Sequence, residues 1–229
     1  GSAIRYLAAA LHRNAMLSEA HFTAAHLLAE IGEVDRATQF PETTLRLDAS
    51  QIFAYTDLAR IGLLQGRREE GLAYLDRCAA LTGHTMWSQM ARFLVWVGDG
   101  ERAARWLTLP DLADDRNRIA RSVLLRVAGQ PDATAGLLEQ FNISGRTTTA
   151  SARGRSFAHQ IITEFFAGQQ LYDQALGAVE QAVAAGLIDH PWMTSCPLLA
   201  PLRERPRFVE LTRVVATRAE GLRSLAREL

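Results

Sequence analysis

A small residue recurs along this chain at a nearly constant interval. Ala3, Ala37, Gly71 and Ala103 stand 34, 34 and 32 residues apart, each near the start of a stretch with helical periodicity. A step of that length is one helix-turn-helix unit. The segment 3–11 has small residues at Ala3 and Ala10 and large ones at Leu7 and Leu11, and 71–79 and 175–183 repeat the layout. The helices ahead of the anchors share a second register. His21-x2-Ala24-Ala25-x2-Leu28 precedes Gly32, Tyr55-x2-Leu58-Ala59-x2-Gly62 precedes Gly66, and Trp87-x2-Met90-Ala91-x2-Leu94 precedes Gly98. The small residues let paired helices approach; the large ones fill the space between units. Glycine closes each turn because it takes positive φ at a helix C-terminus.

These patterns resemble the tetratricopeptide repeat family. The resemblance is strongest over 3–107 and 156–185, where Tyr172-Asp173-Gln174-Ala175-Leu176 is similar to the start of the family's second helix. It implies an all-α fold: a right-handed superhelical solenoid of helix pairs with a C-terminal capping helix. The expected organisation is the second helix of a truncated repeat at 1–14, three repeats over 15–110 and a degenerate helical repeat at 111–141. An exposed loop at 142–155, a further repeat at 156–186 and a Pro-rich turn with the capping helix at 187–229 complete it. A second helix without its first is expected to continue a longer natural chain upstream of Ala3. Pro41 departs from the family pattern and is expected to kink its helix or end it early, and Leu109-Pro110 to shorten the helix that starts near Glu101. Residues 142–155 hold no large apolar residue except Ile143, so proteolysis is expected there first, at Arg146, Arg153 or Arg155. Phe208, Leu211, Val214, Val215, Leu222 and Leu225 form one stripe of the last helix, leaving a polar face for an array that ends in water. Near that end, Trp192, Cys196-Pro197-Leu198-Leu199, Pro201-Leu202-Arg203 and Pro206-Arg207-Phe208 are similar to the last repeat and cap of tetratricopeptide arrays in bacterial regulators. In those proteins the array follows a serine/threonine kinase, nucleotide cyclase or winged-helix domain.

Charge and residue types narrow the chemistry. Lys+Arg and Asp+Glu number 25 each, so the net charge is zero, and a broad grip on nucleic acid or an acidic membrane face is not expected. Every one of the 25 cations is arginine, which removes Schiff-base chemistry and the P-loop lysine. The two cysteines, Cys78 and Cys196, form no CxxC and read as small buried side chains in a reducing compartment. No window reaches 18 consecutive apolar residues, and the N-terminus lacks a signal-peptide pattern, so a cytoplasmic protein without membrane insertion is expected. Phe93–Val97 followed by Gly98-Asp99-Gly100-Glu101-Arg102-Ala103 mimics a strand and a dinucleotide turn. The acidic residue that this fingerprint needs about 20 residues on is missing, and the same residues fit the helical register. The six histidines offer no i, i+4 pair, and no GxSxG elbow exists. No catalytic residue, metal ligand or cofactor is assigned, and the four tryptophans read as packing.

The inner face of the array is the candidate site. His26, Arg60 and Arg92 take equivalent inward positions in successive units, with Phe22, Thr56 and Ser88 one turn earlier on the same face. One reading is a ladder that holds the carboxylates of an acidic partner segment by charge-assisted bonds, with both arginines exposed. The other is that the arginines pair with carboxylates of neighbouring helices or are simply solvated. The family's carboxylate clamp uses lysine and asparagine; this chain has no lysine and places Asp57 at one of those positions. The function expected is a protein–protein interaction or scaffolding module of a bacterial signalling or transcription regulator, with a partner segment in the concave groove. The alternative is a sensory domain for a peptide or small ligand.

Overall fold

A computed structural model describes residues 2–14, 17–81, 86–130 and 151–227. Among them all regular structure is helical. The order is α1 (Ser2–Arg13), α2 (Ser18–Glu30), α3 (Val34–Leu47), α4 (Ile52–Leu64), α5 (Arg68–Ala79), α6 (Trp87–Val97) and α7 (Gly100–Trp106). Two 3-10 turns, Pro110–Ala113 and Asp115–Asn117, lead into α8 (Arg118–Val127). Then come α9 (Ala152–Gly168), α10 (Tyr172–Ala184), α11 (His190–Ser195), the 3-10 segment Pro197–Leu202 and α12 (Pro206–Ala226).

Three helix pairs share one turn. In α2/α3, α4/α5 and α9/α10 the first helix is closed by a backbone bond from Glu33 to the Leu28 carbonyl (2.8 Å), Arg67 to Gly62 (2.9 Å) and Leu171 to Phe166 (2.9 Å). That bond satisfies a carbonyl the helix end would leave orphaned, and it needs a left-handed residue just before it. Gly32, Gly66 and Gln170 supply it, at φ 84°, 75° and 62°. Gln170 does so against a backbone cost of roughly 1 kcal/mol that glycine does not carry. The anchors Ala37, Gly71 and Ala175 lie where each pair is tightest, and all are buried. The α6 unit is built differently. Its long contact is with α8, while α7 stops after seven residues, ahead of Pro110.

Several expectations change. Pro41 neither ends nor truncates α3: the helix runs through to Leu47 with Pro41 buried inside it, so tertiary packing holds a turn that lacks one backbone donor. Residues 152–155 open α9 rather than belonging to a loop, because Ser151 caps that helix by accepting from the Gly154 amide at 3.1 Å. The rest of the expected loop, 142–150, lies outside the described residues, as do 131–141 of the degenerate unit. Phe93–Val97 is the last stretch of α6, ended by Gly98 in the left-handed region, so there is no strand for a dinucleotide turn to follow.

The largest change is at the C-terminus. A main core runs from α4 to α12 and includes Trp87, Trp96, Trp106, Trp192 and Phe208, together with the unbridged Cys78 and Cys196. A second cluster joins Leu28, Ile31, Ala37 and Ile61 to Ala219 and Ala226. The last helix therefore covers α2 and α3 with its buried side, while Arg213, Thr217, Glu220 and Ser224 stay exposed on the other. Leu28 and Ile31 are fully buried there, worth about 1.5–3 kcal/mol each relative to exposure. Two arginines tie the join: Arg223 Nε donates to the Ile31 carbonyl (2.7 Å), and Arg36 Nη2 to the Ala226 carbonyl (3.0 Å). Val214, from the expected apolar stripe, is exposed.

Candidate functional site

The repeat spacing brings the inward positions of α2, α4 and α6 into one polar seam. On α2, Phe22, His26 and Glu30 follow one another at i, i+4 and i+8. On α4, Phe53, Thr56, Asp57 and Arg60 fall at i, i+3, i+4 and i+7, again one face. On α6, Gln89 and Arg92 do the same, while Ser88 points outward and is exposed. Thr56 is buried, but its hydroxyl donates back to the Phe53 carbonyl at 2.9 Å and is spent within the helix.

Arg60 and Arg92 are not exposed. Arg60 is 5% accessible and donates from Nη2 to Asp189 at 2.5 Å. Arg92 meets Glu164 in a two-pronged pair, Nε to Oε2 at 2.5 Å and Nη2 to Oε1 at 2.6 Å. Its guanidinium also lies 5.3 Å from the Trp96 ring and 5.2 Å from the Phe157 ring. The carboxylates that the two arginines hold are thus the chain's own, in the place expected for a partner's. The expectation of exposed arginines fails because α9 and the 187–195 segment fold across the inner face.

These partners have a signal that the inward register alone does not contain. Arg153, Phe157, Gln160 and Glu164 form a stripe on α9 at spacings of four, three and four. Arg153 pairs with Glu30 at 2.9 Å, and Gln160 Nε2 donates to Asp189 at 2.9 Å. Glu164 also accepts from the Trp192 indole at 2.7 Å. The surrounding residues of α9, Ile161, Ile162, Phe165 and Phe166, are apolar. A helix apolar on the other faces is covered, and its polar residues then need buried partners. Asp189 does three tasks: it pairs with Arg60, accepts from Gln160, and caps α11 by accepting from the Trp192 amide at 3.1 Å.

The N-terminal end of the seam is more open. His26 sits between two carboxylates, Nε2 3.3 Å from Glu30 and Nδ1 3.4 Å from Asp57. Burial works against its charge, but the bonds to Asp57 and Glu30 outweigh it and raise the imidazole from 6.5 to about 9. The same contact holds Glu30 well below the usual carboxylate range, again against burial. Asp57 Oδ2 is buried with no hydrogen-bond partner among the described residues. Beyond His26 the surface turns aromatic. Phe22 lies 5.9 Å from His26 and 4.9 Å from Phe53, and Phe53 is 45% exposed. Phe53 is the site residue that the ladder reading missed; it shares its face with Thr56 and Arg60, one turn further toward the helix start.

Among the described residues no group of three or more His, Cys, Asp or Glu side chains is placed to hold a metal ion, and no helix is long and apolar enough to cross a membrane. Burial pushes the Cys78 thiol up to about 12 and moves Cys196 further in the same direction, so both favour the protonated form at neutral pH. In comparisons with known proteins, no family model, no curated protein and no solved structure matches the chain.

Proposed function

We propose that the chain is a tetratricopeptide-like repeat module that binds a partner protein segment at the N-terminal part of its inner face, as the interaction part of a bacterial signalling or transcription regulator. The observation that carries this reading is the aromatic pair Phe22 and Phe53, with Phe53 half exposed at the open end of an otherwise filled polar seam. Large apolar side chains left accessible beside a charged group suit a docked segment better than water. The matched turns at Gly32, Gly66 and Gln170 support the repeat reading, and the arrangement of pairs is read as a right-handed superhelix closed by α12. The wording at 192–208 supports the regulator context. Arg60 and Arg92 are committed to Asp189 and Glu164, so the reading moves the partner contact from the arginines to Phe22, Phe53 and His26. The His26 charge is balanced by Glu30 and Asp57, which favours a segment that inserts an apolar side chain over one recognised by its carboxylates.

Partners captured from a lysate, the strongest then titrated, test it. Phe53→Ser should weaken that partner by about 2 kcal/mol or more, as for a buried aromatic anchor. Stability should fall by no more than about 1.5 kcal/mol, the scale of the lost ring pair. Unchanged affinity in Phe53→Ser and in Phe22→Ala would remove the aromatic face from the reading.

A further inference from the structure

The polar seam is short of positive charge at its open end. Glu30, Asp57 and Asp189 are all buried, and all three act on one buried guanidinium, that of Arg60. Asp189 holds that guanidinium directly. The balance for the other two comes from less buried groups. Arg153, 55% exposed at the start of α9, reaches Glu30 at 2.9 Å. His26 touches both Glu30 and Asp57 and is more exposed than either, 27% against 8%. It carries a proton that the two carboxylates hold up to about pH 9. Even so, Asp57 Oδ2 stays buried without a hydrogen-bond partner among the described residues. A buried carboxylate oxygen left in that state is a standing cost.

Aromatic rings lead to this pair of carboxylates. Phe53 stands one turn before Asp57 on α4, and Phe22 one turn before His26 on α2. The two phenyl rings are 4.9 Å apart, and Phe53 is half exposed. Further along the seam the same parts are complete. Arg92 lies 5.2 Å from the Phe157 ring and 5.3 Å from the Trp96 ring, and its fork is on Glu164. Rings on the guanidinium face and a carboxylate at its edge are what a buried arginine requires. The open end has the rings and the carboxylates, with a protonated imidazole where the guanidinium would lie.

We propose, building on the reading of Phe22 and Phe53 as a docking face, that the partner segment carries an arginine that stacks on these rings and takes over Asp57 and Glu30 from His26, whose proton passes to the solvent. The exchange is required because two cations a few ångströms apart in a half-buried site repel. It leaves the charge of the site unchanged: one cation arrives and one proton leaves. The charged groups facing His26 are Glu30 on its own helix and Asp57 on α4, while Arg60 and Arg153 act on it through Glu30.

Short peptides from a random displayed library, selected on the full chain at pH 9, test the proposal. The strongest is then made with arginine and with citrulline, which keeps the shape and loses the charge. The selected peptides should carry an arginine beside an apolar residue. Citrulline should weaken binding about tenfold or more, the worth of a charge-assisted bond. From pH 7 to pH 9 the arginine peptide should tighten by more than about tenfold, approaching tenfold per unit, the slope of one released proton. The citrulline peptide should bind equally at both. Asp57→Asn should bring the arginine peptide down to the citrulline value, and the comparison of the two peptides on the unaltered protein stands whatever that variant does to folding. Selection of peptides without arginine, equal binding of citrulline, or an affinity flat in pH overturns the proposal. If the selected peptides then still lose their affinity in Phe53→Ser, the docking face stands without the cation. If none depends on Phe53, both readings fall.

Discussion

The charge on His26 is set by a contest between burial and two carboxylates, and the carboxylates win. A group whose pKa is raised on folding stabilises the fold fully below its unfolded value and loses that contribution as pH rises through the folded one. For His26 the loss therefore falls between pH 6.5 and about 9. Glu30 is shifted the other way, so its contribution is present above its ordinary value of 4.5 and is lost as the pH falls below it. Urea unfolding across this range should show stability declining on both the alkaline and the acid limb. His26→Gln should flatten the alkaline limb; an unchanged alkaline slope in that variant would show that the imidazole does not carry the effect. The position of His26 on the inner face is legible in the sequence, because it needs only the register of one helix. The pairing of Arg60 and Arg92 is not, since Asp189 and Glu164 are 129 and 72 residues away, and the stripe on α9 marks Glu164 as needing a buried partner without saying which.

Within each helix pair, one contact shows how the repeat absorbs variation. The α4/α5 pair has Leu63 against Gly71, and a β-carbon on Gly71 would meet Leu63 Cγ at 2.8 Å and the Ala59 carbonyl at 3.0 Å. The corresponding residues are Ala29 and Ala37 in α2/α3, and Ala167 and Ala175 in α9/α10. Two pairs thus divide the space evenly, and one gives it all to leucine. Gly71→Ala should destabilise by about 1–3 kcal/mol through overpacking, despite alanine's better helix propensity. Leu63→Ala alone should cost about 2–5 kcal/mol as a cavity. The double variant, which copies the other two pairs, should lose less than the sum, as read from denaturant midpoints. Additive losses would mean that the two positions do not share one space. Elements of this kind were readable: the anchors at 37, 71 and 175 and the glycine turns follow from side-chain size and backbone freedom alone. Pro41 departs from its local rule for the opposite reason: its burial inside α3 is a tertiary effect that the local rule does not contain.

Across the whole molecule, α2 and α3 share a core with the last helix, and buried ion pairs hold the later segments over the earlier ones. In an open array of repeats, stability is a sum of neighbour terms, and surface arginines can be removed with little effect. Here Arg60→Ala strands Asp189 in the interior, and removing one partner of a buried pair costs about 3–5 kcal/mol. Circular dichroism and tryptophan fluorescence should then report one transition at a lower denaturant midpoint, since Trp192 and Glu164 belong to the same network. A loss below about 0.5 kcal/mol would show that the pair is not structural. The join between α12 and α2 also sets how the molecule would carry tension. An open array drawn out from its ends behaves as a soft spring, each pair yielding to its neighbours in turn. With Arg223 on the Ile31 carbonyl, Arg36 on the Ala226 carbonyl and Leu28 and Ile31 sealed beneath α12, the load falls first on one latch. The molecule stays stiff until that latch parts, and only then do the helix pairs become free to extend.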